Sequence, residues 1–585
     1  MTQPSVRRFA FAVRPLARSG AVLLAALLLA VPAASRADSR EEISREVHKT
    51  LPLRAGQRLE VEHQNGDVRL RGAAGGDLKV DAKIRVSSSD MEEAKKFADS
   101  ISLEIASTAT GAVVRTHYPE GKWFSASRRV SFAVDYDITV PEAAVVSVRN
   151  RFGDVAAENL KGGTEIHNAN GRLTFRGGKG LARLENSFGA LELSGNAGDA
   201  EISNANGTMT IAEVDGQLQA RNRFGRVSIA RAKKVEFSGS NADVSLSVSG
   251  PSSVTTSFGT VTVMTVTGDL KVQNNNGSIT ASGVTGEAEL NGSFAPITFS
   301  DIGKTVRCVG TNAKVSGRKV GGPVNVQNTF GPIELSDISG SVDVQNTNGS
   351  VRLRDIRGGA IVRNRFGTVD LTGIAGDATV TNGNGTISLA NVEGAVDARN
   401  SFGQVTVSRA KKGAKVNSGN GGVSLSDVGA ASFVKTSFAL VEAARIAGDL
   451  TVENANGAVR ASDVKGAIDV RTSFSPVALE TIAGPIRVDN QNGSVEVRDV
   501  TFGAKACNRV SLKTSFAPIR LSLPGNGGYA VSAQTSYGKI SSELPVTSTG
   551  AVGGDSLRGT IGDGRCEVTL SNQNGNIELV KQVGR

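Results

Sequence analysis

Cysteine is almost missing from this chain of 585 residues: there are three, Cys308, Cys507 and Cys566. That excludes a fold stapled by disulfides. Cys507 and Cys566 have the option of pairing in an oxidising compartment, which spacing alone does not decide. Cys308 lies about 14 residues after Phe294, at an inward strand position, and is expected as a buried free thiol. Histidine is as scarce. His48, His63, His117 and His167 all precede the main part of the chain, and no two have a metal-like spacing. No HExxH, CxxC or nucleophile-elbow pattern occurs, and no tandem GGxGxD calcium repeat. These absences predict no catalytic, cofactor-binding or metal residues and no cofactor. Acidic residues are scattered over outward strand positions, so the alternative is a carbohydrate-active enzyme with carboxylates paired across neighbouring coils.

Long apolar runs are missing too, apart from Ala21 to Ala34, which is too short for a typical membrane span. Arg7, Arg8, Arg14 and Arg18 precede it, and Ser35-Arg36-Ala37 follows with small residues where a signal peptidase reads. Residues 1–37 are therefore expected to be a secretory signal cut near Ala37, with no lipid anchor and no transmembrane segment in the mature chain. The expected address is extracytoplasmic, periplasmic or secreted. Removing the leader's five Arg takes the basic count from 66 to 61, against 56 acidic residues, or about +5. A chain so near balance, and secreted, is not expected to bind nucleic acid.

What the chain has is glycine, 69 residues of it, and a repeat. Between residues 150 and 495 the phrase Asn-x-Phe-Gly-x-Val alternates with Asn-x-Asn-Gly-x-Val. The residue before the glycine runs Phe152, Asn170, Phe188, Asn206, and so on to Phe474 and Asn492, about 18 residues apart, with two steps of about 17 around Asn241. Within a coil, Val369 and Leu371, and then Ala378 and Val380, alternate with polar residues, the period of strands with one buried face. One coil is too thin to bury its own apolar face, and stacking on its neighbours solves this. The fold predicted is all-β: a single-stranded parallel β-helix, a solenoid with coils of about 18 residues. Roughly 19 regular coils at about 4.8 Å each give a rod of order 90 Å.

The Asn two residues before each anchor, such as Asn150, Asn364 and Asn382, shares the parity of Ala378 and Val380. It is expected inside, hydrogen-bonded as an amide ladder. By the same parity the Phe anchors are expected to fill the core at a corner of every second coil. An exposed Phe column, the competing reading, suits stacking on sugars but is an aggregation hazard.

Residues 38–149 break the period and are expected to form a small α+β cap with enlarged early coils. Residues 38–47 read as a short helix or tether. Asp90 caps a helix over residues 89–101 with Met91, Ala94, Phe97 and Ala98 at helical spacing, and strands follow at about 101–107, 111–117 and 130–140. The regular β-helix spans 150–499. Residues 500–585 read as irregular final coils with a cap and no autotransporter barrel.

One outward column is enriched in cations. Three residues before the Phe anchor stand Arg149, Arg221, Arg363, Arg399, Lys435, Arg471 and Lys513, and Arg151, Arg223 and Arg365 immediately precede theirs. In the Asn coils the matching sites are mostly polar or acidic, such as His167, Gln273, Gln345, Glu453 and Asp489. These ten basic residues are the candidate site, an anion-binding edge for a polysaccharide or lipid headgroups. A solubilising stripe that discourages edge pairing is the favoured reading of the same column.

Leu59-Glu60-Val61 leading to Asn65-Gly66-Asp67-Val68, then Tyr136-Asp137-Ile138-Thr139-Val140-Pro141, then Val148-Arg149-Asn150-Arg151-Phe152-Gly153-Asp154-Val155, resembles the bacterial putative-adhesin family of β-strand-repeat envelope proteins, whose domains have no assigned function. The resemblance covers nearly the whole mature chain and implies an extracytoplasmic β-helix. It supplies no catalytic residues. The function expected is a non-enzymatic scaffold, adhesin-like or binding an anionic polysaccharide or another envelope component.

Overall fold

A computed structural model of the protein describes residues 41–119, 130–501, 507–548 and 553–582. The expected signal, residues 1–37, lies outside the described residues, as does Trp123. The coil beginning at Val342 shows how the sequence builds the fold. Val342 and Val344 point inward, Asp343 and Gln345 outward, and Asn346 closes the inward row. After a corner at Asn348-Gly349, Val351 and Leu353 again point inward, and Ile356 ends the coil. Each strand pairs in parallel with its counterpart one coil on. Val324–Phe330 pairs with Val342–Asn348, and that with Ala360–Phe366. Ile333–Ile338 pairs with Val351–Ile356, and that with Val369–Ile374. The result is an all-β parallel solenoid of about 20 turns with coils of about 18 residues, capped at its N-terminal end by small sheets. The inward residues read from the sequence in one coil, Val369, Leu371, Ile374, Ala378 and Val380, are all buried.

A second bend is invisible to a count of apolar residues. In every coil from Asn159 to Asp499 one residue takes a left-handed conformation at the same place, examples being Asp337 (φ 56), Asp355 (φ 53), Gly373 (φ 72) and Asn391 (φ 56). It puts two outward residues in succession, Arg354 and Asp355, between inward Leu353 and Ile356. Gly, Asn and Asp accept this conformation most easily. Opposite charges stack at the site, as in Arg231–Glu213 at 2.8 Å and Arg445–Asp427 at 2.5 Å. The two short coils lose their residue in the turn that follows. Register therefore shifts to Val235↔Ser252 and Val244↔Val261, with the strands intact.

Both ends stack out of chain order. Arg58–Asn65 lies between Val145–Phe152 and Gly111–His117, in parallel with both. Antiparallel strands close that end: Asp77–Ser88 against Ser131–Pro141, Glu41–Pro52 against Asp77–Ser88, and Ser102–Thr108 against Gly111–His117. At the other end, Cys566–Ser571 inserts between Val510–Lys513 and Tyr529–Gln534, and Ser556–Ile561 runs antiparallel to the latter. Cys507 and Cys566 form a disulfide, and Cys308 is free and buried, its thiol pushed up to about 12 by burial.

The helix is Met91–Ser100, capped by Asp90, whose carboxylate accepts from the Glu93 amide at 3.2 Å. Ala94, Phe97 and Ala98 are buried, while Met91 is exposed. Residues 41–52 are a strand, neither helix nor tether. Ile43 and Val47 are four apart, which suits a helix face and a strand face alike. The partner that decides, Asp77–Ser88, is far along the chain: Val47 pairs with Ala82 and Ile43 with Val86.

The larger correction concerns the Phe anchors. They do not fill the core. Every one of them, from Phe152 through Phe516, is exposed, at 43% for Phe366 to 64% for Phe294 and Phe438. Inward Asn364 and inward Val369 are five positions apart, an odd step, so alternation must break once. The sequence reading placed that break after Phe366. It occurs before, because Arg365 and Phe366 are both outside.

Candidate functional site

The Asn side chain is the reason. The inward amides occupy the inside of the corner that the rings were expected to fill. Asn382 Nδ2 donates to the Gly367 carbonyl of the previous coil at 3.1 Å and to the Gly385 carbonyl of its own corner at 3.3 Å. Asn400 repeats this with Gly385 and Gly403, both at 2.8 Å. Direct amide–amide bonds occur at Asn150–Asn168 (3.1 Å) and Asn364–Asn382 (3.2 Å). The inward amides expected from the sequence are present, but a continuous amide ladder is not. Elsewhere the Nδ2 donates to corner carbonyls, and the Oδ1 of Asn186, Asn204, Asn222, Asn274, Asn328, Asn346 and Asn400 is buried without a hydrogen-bond partner. Corner glycine is required by contact as well as by conformation. At Gly367 (φ +124) a Cβ would stand 2.3 Å from the Gly349 carbonyl oxygen one coil earlier. At two of the corners where Ala replaces it, Ala295 and Ala313, the positive φ moves back one residue to Phe294 (φ 61) and Asn312 (φ 57), whereas Ala242, Ala439 and Ala517 have no such residue before them.

Outside this corner the anchors form one column. Register places Phe152 on Asn170, Asn170 on Phe188 and Phe188 on Asn206. Farther along, Phe330, Asn348, Phe366, Asn384 and Phe402 follow one another. The rings recur every second coil, about 9.6 Å apart at the spacing of parallel strands. A signal in the sequence pointed here. No closely packed site accepts Phe and Asn in turn, since the volumes differ too much, whereas a solvent-facing site accepts both.

The ten basic residues are all exposed and do line the strand beside this corner. Arg363, Thr381, Arg399, Asn417, Lys435, Glu453, Arg471, Asp489 and Lys513 are successive partners in one outward row. Farther back, Arg149 is followed in the row by His167 and then Glu185, and Arg221 by way of Ser203. Between these groups the row is neutral through Gln273, Asn291, Val309, Gln327 and Gln345. Several cations are already paired: Arg363 with Asp343 (2.9 Å), Arg399 with Asp397 (2.7 Å), Lys435 with Glu453 (3.1 Å) and Arg471 with Asp469 (3.2 Å). The Arg151 and Arg365 guanidinium carbons sit 5.4 Å from the ring centroids of Phe152 and Phe366, a cation–π arrangement.

Elsewhere the sheets carry shallow hollows. One holds His167 between Glu185 (2.8 Å) and Glu165 (2.9 Å), with Arg183 and Arg221 on its rim. The His167 hydrogen bond holds the Glu165 carboxyl below its usual range. Another is lined by Glu442, Arg460, Glu480 and Arg498, and Arg460 bonds Glu442 at 3.4 Å. Among the described residues no group of three or more His, Cys, Asp or Glu converges as a metal site. No helix among them is long and apolar enough to cross a membrane.

Residues 377–580 match the family described as Toastrack DUF4097. The C-terminal third of the chain is thus similar to that domain, in keeping with the strand-repeat family it resembles in sequence. A solved structure, a putative cell adhesion protein from Clostridium sporogenes, is similar over 32% of this chain and 99% of its own, at 10% identity and a TM-score of 0.19. No curated protein matches the chain.

Proposed function

We propose that this chain is a non-enzymatic, extracytoplasmic scaffold that holds an envelope or extracellular polymer along one edge. The observation that carries the reading is the exposed corner itself, a column of rings and amides running the length of the regular coils, with cations on the strand beside it at Arg149, Arg221 and from Arg363 onward. A linear ligand is what such a row presents itself to, since the same contacts recur at a fixed step and add by multivalency. The leader ending near Ala37 supports the address, and an extracytoplasmic location supplies polysaccharides as partners rather than nucleic acid. The basic residues Arg149, Arg151, Arg221, Arg223, Arg363, Arg365, Arg399, Lys435, Arg471 and Lys513 provide the charge that favours an anionic polymer. With four of them paired to carboxylates, the edge is only weakly basic, and its attraction is screened by salt.

The test is retention of the immobilised full mature chain on a panel of acidic and neutral polysaccharides. Retention of acidic polymers, reduced when Arg363, Arg399, Lys435, Arg471 and Lys513 become Ser, is the expected result. A protein that retains no polymer, or one that shortens the polymers it meets, contradicts the proposal.

A further inference from the structure

We propose that the Phe–Asn corner is a ladder of glycan subsites, one disaccharide to each Phe, for an extended β-linked polysaccharide with one carboxylate per disaccharide. This rests on the scaffold reading and names its ligand class. Four observations lead to it. The first is the step. Rings recur every second coil, about 9.6 Å apart. In an extended β-linked hexopyranose chain the ring face inverts from one sugar to the next, so the same face returns after two sugars, over nearly the same length. The second is what lies between the rings. Each gap holds an anchor Asn, as at Asn348 between Phe330 and Phe366. A ring stacks on the apolar face of one sugar and an amide meets the hydroxyls of the next.

The third is phase. Arg363, Arg399, Lys435, Arg471 and Lys513 each stand three residues before Phe366, Phe402, Phe438, Phe474 and Phe516. From Arg363 to Lys513 every period of two coils thus offers one ring, one amide and one cation, with Glu453 and Asp489 between the later cations, the complement of a disaccharide with one acidic sugar. The periods at Phe258, Phe294 and Phe330 offer the ring and the amide alone. The fourth is width. The strip is one residue across, bounded by corner glycines such as Gly367 and Gly403 on one side and by Ser401, Ser437 or Arg365 on the other. A stable interface between two proteins needs a broad apolar centre, roughly 800 Å² on each partner. A single row suits a polymer better than a second copy of the chain.

Hyaluronan is the probe, because it carries one carboxylate per β-linked disaccharide. Dextran sulfate, charged but not β-linked, is the control. The immobilised full chain is expected to retain hyaluronan oligomers with an affinity that climbs with each added disaccharide. The variant F366A/F402A/F438A is expected to lose roughly tenfold or more of that affinity. Its thermal unfolding should be unchanged, because the rings are outside the core. The corresponding Phe→Trp variant should keep binding, and dextran sulfate retention should fall with salt but not with Phe→Ala. Unchanged hyaluronan retention in the Phe→Ala variant overturns the ladder while leaving the scaffold reading standing. Loss of every polymer from the wild-type chain overturns both. A Phe-dependent dimer in sedimentation that excludes hyaluronan identifies a second copy as the occupant and also overturns the ladder.

Discussion

Phe402 and Asn400 stand two residues apart and have opposite surroundings. The ring is 52% exposed and the amide is 4% exposed. Phe402→Ala should therefore shift the urea midpoint hardly at all, within about 0.5 kcal/mol. A buried Phe would cost about 3–5 kcal/mol. Asn382→Ala should cost about 1–3 kcal/mol, because it leaves the Gly367 and Gly385 carbonyls without their amide donor. The inward Asn was legible in the sequence because it continues the alternation of Ala378 and Val380. The outward Phe was not, because parity names the side only until the chain turns, and nothing in a single coil says where it turns. His63 is a second residue whose surroundings decide its behaviour. It is buried, its Nδ1 lies 3.0 Å from Thr116 Oγ1, and its ring meets Tyr136 edge-on at 5.1 Å. Burial, the largest cause, lowers its pKa from 6.5 to about 4. The unfolded chain binds a proton there that the folded chain refuses. Stability is complete above pH ~6.5 and falls as pH drops toward ~4, by up to about 3 kcal/mol. Melting of the N-terminal cap followed from pH 7 to pH 4 should show this slope in the wild type and lose it in His63→Gln.

At the scale of the element, the left-handed bend makes a separate claim. Val248 sits there with φ 49, is β-branched and is 55% exposed. Val248→Gly should raise the unfolding temperature, by about 1 kcal/mol of stability, since little burial is lost and the strained conformation is relieved. A decrease would mean that the bend is misplaced. At the far end, the Cys507–Cys566 disulfide spans 59 residues and ties the out-of-order final strands to the stack. Reduction should destabilise the last coils by up to about 4 kcal/mol, measured as earlier proteolysis after residue 500. Regular strands were readable because period, parity and turn glycines agree in every coil. The ends were readable only as elements. That Arg58–Asn65 stacks between Gly111–His117 and Val145–Phe152, or that Glu41–Pro52 is a strand at all, depends on partners far along the chain. The basic residues were legible as a column. Their partial neutralisation by Asp343, Asp397, Glu453 and Asp469 was not, because side-chain pairing along and across coils needs the register to be known.

At the scale of the whole molecule, identical coils stacked in parallel turn one sequence position into one line on the surface. An exposed ring at one corner becomes a ladder only if the rise per coil is constant and no coil rotates away from its neighbour. Antiparallel strands at both ends keep such a stack from adding further copies of itself at its open edges. The most direct test is a pair of distances between spin labels on the Phe column of the full chain. Labels at Phe294→Cys and Phe366→Cys are four coils apart and should lie about 19 Å apart; labels at Phe294→Cys and Phe438→Cys, eight coils apart, should lie about 38 Å apart. Both pairs should be mobile, as side chains in water are. Distances that do not double, or labels held rigid by surrounding core, would contradict an outward ladder on a straight stack.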